Sequence, residues 1–349
     1  MRLGCSAAFA ALLLTNSLAF AAPEDITGAC IISDAFREPD ATLERCVKAL
    51  KIPDARKADQ AKFHTQRGLA FHWALRPIYS IPEFTEALKL DPSLHAARLQ
   101  RGWAYIQARQ HALSYQDFTD VLATDPKNSS ALFGLATLYY GSLEHQRAVR
   151  LLQQALVIDP HYHHARLQLA SHFASFAGEP RRALQEYDLI LADGPEALDA
   201  VPFWSFPPSP AGYSFLHLVL EDKAEVLLQE ARAVEAQAIL EPLVKQFPAR
   251  AHLYTLRGLA RHILGNPEIA LADARKSLAL DPYSLSGRRL SMDVLFGMRR
   301  YEEALKFTNM TLSMSSKEPS IYAHALRTRA IILRRGSNMT WPKQTSNRL

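Results

Sequence analysis

Small and apolar residues return along this chain at fixed slots of a long period. Numbering each period so that its proline is slot 32, slot 8 is small, slot 11 is often aromatic, slot 20 is Ala and slot 24 is aromatic or apolar. The clearest period is Ala251–Ser284, with Gly258, Leu259-Ala260, Ala270 and Leu280-Asp281-Pro282. The spacing predicts two amphipathic helices per period, folded back on each other at a turn such as Gly265-Asn266. Small residues let the pair approach closely, and the proline stops the second helix.

The period itself comes from Asp-Pro. It stands at Asp91-Pro92, Asp125-Pro126 and Asp159-Pro160, each 34 residues after the last, and Pro248 and Pro282 keep the same step. Periods beginning at Ala61, His95, Ser129, His163, His217, Ala251 and Leu285 cover about residues 61–318. The motif Arg-Gly-x-Ala opens three of them: Arg67-Gly68-Leu69-Ala70, Arg101-Gly102-Trp103-Ala104 and Arg257-Gly258-Leu259-Ala260. Period and motif resemble the tetratricopeptide repeat family, in particular its exported bacterial type. The resemblance implies an all-α, right-handed superhelical solenoid, and a non-enzymatic adaptor that holds a protein or peptide partner.

Charge at two slots appears and disappears together. Arg67, Arg101 and Arg257 at slot 7 go with Glu83, Asp117 and Asp273 at slot 23; where slot 7 is Leu135, slot 23 is Leu151. This predicts an ion pair between the two helices of a repeat, with a partner site as the alternative. In the family the groove is lined by slots 2, 5, 9, 12 and 13 of the first helices. Those slots give His72, Trp73, Leu99, Trp103, Ile106, Phe133, Tyr140 and His164, an aromatic and apolar first half suited to a peptide or partner helix, and Glu221, Glu225, His252 and His262 in the later repeats. Some of these aromatics are expected to pack on neighbouring helices instead. The Lys/Asn carboxylate clamp of chaperone-binding members is absent: its slots hold Thr65, Leu69, Leu99 and Trp103.

The ends add a compartment and two candidate devices. Arg2, the apolar run through Leu12-Leu13-Leu14 and Ala19-Phe20-Ala21 read as a secretory signal over 1–22, cleaved near Ala21 or Ala22, which places the mature chain in the periplasm or outside the cell. Cys30 and Cys46 then remain, an even count in an oxidising compartment. Aligned with the repeats they fall at slots 8 and 24, predicting a disulfide-closed helical hairpin over 23–60 worth about 3 kcal/mol; a redox role is the alternative. Residues 196–216 break the period with prolines and aromatics, as a packed connector or as a lid. A helix over 319–335 is expected to cap the array through Ile321, Ala325, Thr328 and Ile332. Its Arg327, Arg329 and Arg334, with the tail 336–349, offer contact with an anionic polymer or membrane surface.

Composition excludes little more. The 349 residues are 48% hydrophobic and 21% charged, with net charge +5, a globular balance. No phosphate loop, His-Glu-x-x-His, Gly-x-Ser-x-Gly or dinucleotide fingerprint occurs, so no enzyme and no cofactor are expected, and export argues against nucleic acid. His161, His163 and His164, with His172 two turns on, form the one tempting metal cluster, but one helix turn rarely supplies three convergent ligands, so they are read as a polar helix start.

Overall fold

The computed structural model describes residues 39–51, 56–74, 76–201, 212–314 and 319–336. These contain seventeen α-helices and no strand. The signal segment, Cys30 and the tail beyond 336 lie outside the described residues. Two compact blocks divide the chain, the first ending at His172 and the second beginning at Phe173.

In the first block α1 (Pro39–Ala49) precedes the pairs α2 (Lys57–Trp73) and α3 (Pro77–Leu90), α4 (His95–Gln107) and α5 (His111–Thr124), and α6 (Ser129–Gly141) and α7 (His145–Ile158). Helix α8 (His163–Ser175) runs across the block boundary. The second block holds α9 (Pro180–Leu191), the short α10 (Pro195–Asp199), α11 (Phe215–Gln229), α12 (Ala233–Gln246), α13 (Ala251–Ile263), α14 (Pro267–Leu280), α15 (Leu285–Gly297), α16 (Tyr301–Met314) and α17 (Pro319–Gly336). Within each block, partners in a pair pack on each other and on the next pair.

The Asp-Pro period has a local cause. Asp91, Asp125, Asp159 and Asp281 each end or follow a second helix, and each turns its carboxylate onto the backbone N–H two residues on, at Ser93, Lys127, His161 and Tyr283. The acid makes the turn and the proline forbids continuation. The turn inside each pair has its own requirement. Arg109, Leu143, Ala231 and Arg299 have φ near +60°, where Gly265 of the Ala251 repeat sits at +80°. A side chain there costs on the order of 1 kcal/mol.

Close approach within a pair depends on glycine facing a ring. Phe118 of α5 lies between Gly102 of α4 and Gly134 of α6; a Cβ on either glycine would fall 2.8 or 2.5 Å from the ring. Phe84 likewise closes on Gly68.

Residues 195–199 form a short helix despite the proline-rich context, because Pro195 stands at its first position, where its missing N–H is no loss. The first helix of the period that begins at His217 starts at Phe215, which is fully buried, as Tyr213 before it nearly is. The described ends of the insert are thus packed, and its middle lies outside the described residues. Cys46 is fully buried against Ala49 and Phe63. Ala325, Thr328 and Ile332 are buried, with Ile332 joining Leu290, Val294 and Tyr301 in one core; the side chain of Ile321 lies outside the described ones.

Candidate functional site

The slot 7 and slot 23 residues meet inside their helix pairs. Arg67 donates to Glu83 at 2.5 Å. Arg101 grips Asp117 with two parallel bonds, Nε to Oδ2 at 2.9 Å and Nη2 to Oδ1 at 2.8 Å. Arg257 grips Asp273 in the same fork, at 3.0 and 2.8 Å, and adds Glu241 at 2.9 Å. Arg261 closes a four-member network by reaching both Asp273 and Glu241. Asp117 and Asp273 are nearly inaccessible, so these charges serve the helix pair. The bond from Asp117 holds the Arg101 guanidinium above its usual range.

The residues expected to line an open groove are placed differently. Leu99, Trp103, Ile106, Phe133, His72 and His164 are all less than 8% exposed. Trp103 meets Phe118 edge-on at 5.4 Å and Phe133 at 5.4 Å; Phe133 meets Tyr162 at 5.4 Å and His164 at 6.3 Å. The first helices of successive repeats therefore cover one another's rings, and this ladder is interior, not a surface waiting for a partner. Burial pushes His72 down to about 4, so it is neutral at physiological pH. The side chain of Trp73 lies outside the described ones.

What the first block does leave half-exposed is a ring cluster beside the ladder. Tyr140 lies 5.5 Å from His145 and 5.7 Å from His172, and the two histidines are 6.0 Å apart. Only Tyr140 of these was singled out by its slot; the histidines join it from α7 and α8.

The second block is built around charge. Arg250 grips Glu221 at 2.7 and 3.1 Å and lies 4.2 Å over the ring of Tyr213, whose hydroxyl donates to the same carboxylate. Glu221 is 4% exposed. Beside it, burial first and then Glu221 and Glu225 raise the Asp222 carboxyl well above the carboxylate range. His252 stands 3.8 Å from Glu221 and 4.0 Å from Glu225.

Two arrangements invite a catalytic or metal reading, and the geometry answers both. Asp199, Ser214 and His217 come together, but Ser214 Oγ donates to Asp199 while His217 Nδ1 accepts from the Ser214 backbone at 3.0 Å. Asp and His hold one hydroxyl at the start of α11, so no base is oriented by an acid behind it. His161, His163 and His164 do not converge: His164 faces Tyr162 and Phe133, while His161 and His163 are 6.5 Å apart. Among the described residues no three His, Cys, Asp or Glu side chains are placed to hold a metal ion.

A recurring contact escaped the sequence reading. Arg98, Arg166 and Arg288 each donate to the carbonyl of the proline six residues earlier, Pro92, Pro160 and Pro282, and tie one repeat to the start of the next. The signal was present as a repeated Pro-x5-Arg spacing.

No family model matches the sequence, and no curated protein matches it. Solved structures do resemble the fold. A tetratricopeptide repeat protein from Parabacteroides merdae aligns at TM-score 0.52 and 16% identity, over 78% of this chain and 99% of its own. PilW, a type IV pilus biogenesis factor, aligns at TM-score 0.53 and 15% identity, over 67% and 99%. The Cut9–Hcn1 hetero-tetramer of the APC/C gives TM-score 0.58 and 16% identity, over 84% of this chain and 54% of that one. Period, helix order and structural likeness together give this chain the tetratricopeptide-repeat fold.

Proposed function

We propose that this protein is a non-enzymatic adaptor that holds a protein or peptide partner in the cell envelope, after export and signal cleavage near Ala21 or Ala22. The observation that carries the reading is the division of labour in the first block. The ring ladder from Phe118 to His164 is sealed inside, while Tyr140, His145 and His172 form a half-exposed ring cluster contributed by α6, α7 and α8. Rings that lose little side-chain freedom on contact are efficient anchors for an extended segment. The likeness to the Cut9–Hcn1 assembly and to PilW supports a partner of protein class and a role in building larger structures. Envelope or polysaccharide assembly is the setting that export suggests.

The test is crosslinking in the native host followed by purification, for the wild type and for a variant with Tyr140→Ala and His172→Ala. The reading expects a discrete protein on the wild type that the variant loses at an unchanged melting temperature. Equal capture by both, or capture of nothing, ends it. The intact mass of the recovered protein tests export separately, since cleavage removes everything through Ala21 or Ala22.

A further inference from the structure

Helix α17 buries one side and leaves a second, chemically distinct side outward. Ala325 and Ile332 are at most 1% exposed. Tyr322, Leu326 and Leu333 are 38%, 43% and 52% exposed. At 3.6 residues per turn these three lie within about 40° of one another, roughly a quarter-turn or more from the buried side. Ala323 and Ala330 widen the stripe. Exposed arginines edge it, Arg329 on one side and Arg327 and Arg334 on the other, and the helix contains no acid.

We propose that α17 is an interfacial helix that docks on an anionic lipid surface, a role separate from the protein-partner reading above. Tyr322, Leu326 and Leu333 would enter the boundary between headgroups and acyl chains while the arginines meet phosphate. Long cationic side chains edging an apolar stripe suit that boundary, because their stems lie along the apolar layer and their heads reach the phosphates. An acidic protein groove is the less fitting occupant. A stable protein interface covers about 800 Å² per partner, and three half-exposed side chains with two alanines make a narrow contact; a lipid surface needs no matching shape. No described helix is long and apolar enough to cross a membrane.

The experiment is co-sedimentation of the full mature chain with vesicles of phosphatidylcholine alone or mixed with phosphatidylglycerol. Binding is expected to the mixed vesicles and to weaken as salt rises. Arg327→Gln with Arg329→Gln should weaken it roughly 30-fold, at about 1 kcal/mol per cation. Leu326→Ser with Leu333→Ser should also weaken it, and as both residues are exposed the fold is retained, which circular dichroism verifies. Equal binding to phosphatidylcholine alone, or none to the mixed vesicles, overturns the proposal. So does full binding by the serine variant together with equal affinity for soluble polyglutamate, a result that assigns the arginines to acidic polymers.

Discussion

The two blocks share a fold, a period and apolar cores but differ in what they add between successive repeats. In the first, the cross-repeat contacts run through rings: Phe118, Trp103, Phe133, Tyr162 and His164 in one ladder. In the second, beside an apolar cluster that includes Leu290, Val294 and Tyr301, they also run through charge, with Arg250 on Glu221 and the Arg257, Arg261, Glu241 and Asp273 network. A repeat fold constrains helix spacing and leaves the filling open, so long as every buried polar group finds a partner. The two fillings differ in how they fail. A ring ladder loses packing in proportion to the volume removed, whereas a buried ion pair loses most when one partner goes and the other is left charged.

The sharpest way to break the comparison is truncation on each side. Trp103→Ala should cost about 3–5 kcal/mol through the cavity it opens, with no dependence on salt, and the loss should be confined to the first block. Glu221→Ala should cost about 3–5 kcal/mol in the second block by stranding Arg250 and the Tyr213 hydroxyl; Arg250→Met beside it should recover part of the loss, since neither charge then remains buried. Block-resolved hydrogen exchange with denaturant melts of each variant checks both. If Arg250→Met on top of Glu221→Ala recovers nothing, the ionic account of the second block is wrong.

A smaller effect follows from the glycine seats of Phe118. Gly134→Ala places a methyl where only 2.5 Å is available, and overpacking of this kind costs about 1–3 kcal/mol. Smaller still, and opposite in sign, is Leu143→Gly. Leu143 has φ +65° and is 75% exposed, so glycine removes backbone strain without losing packing and should add up to about 1 kcal/mol to the stability of the first block. A melting temperature that falls instead would mean that the leucine packs more than its exposure indicates.

The ion pairs were legible because both partners obey the period and vanish together at Leu135 and Leu151. The ladder was not. Whether Trp103 or Phe133 faces a partner or a neighbouring helix is decided by how closely successive first helices stack, and that depends on the small residues between them. Tyr162 was missed because it lies in a connecting turn outside any helix period, and Arg250 because it follows Pro248 at a repeat start. Those positions carry no periodic signal, since each works in one place only.

Proton linkage separates the blocks most directly. His72 is neutral in the folded first block, held near 4, while in the unfolded chain it titrates near 6.5. The unfolded state therefore binds the extra proton first, and stability is lost as pH falls from 6.5 toward 4, by roughly 2 kcal/mol at pH 5. In the second block two groups oppose each other. Burial depresses His217, which also loses stability on acidification, but Asp222 is raised, and its contribution grows as pH falls.

The measurement that tests this account is hydrogen exchange resolved by helix at pH 7 and pH 5, corrected for intrinsic exchange, for the wild type and His72→Gln. The account predicts that α2 to α6 lose protection on acidification more than α11 to α14, and that His72→Gln removes most of that difference. Parallel loss in the two blocks, or a difference that survives His72→Gln, would contradict it.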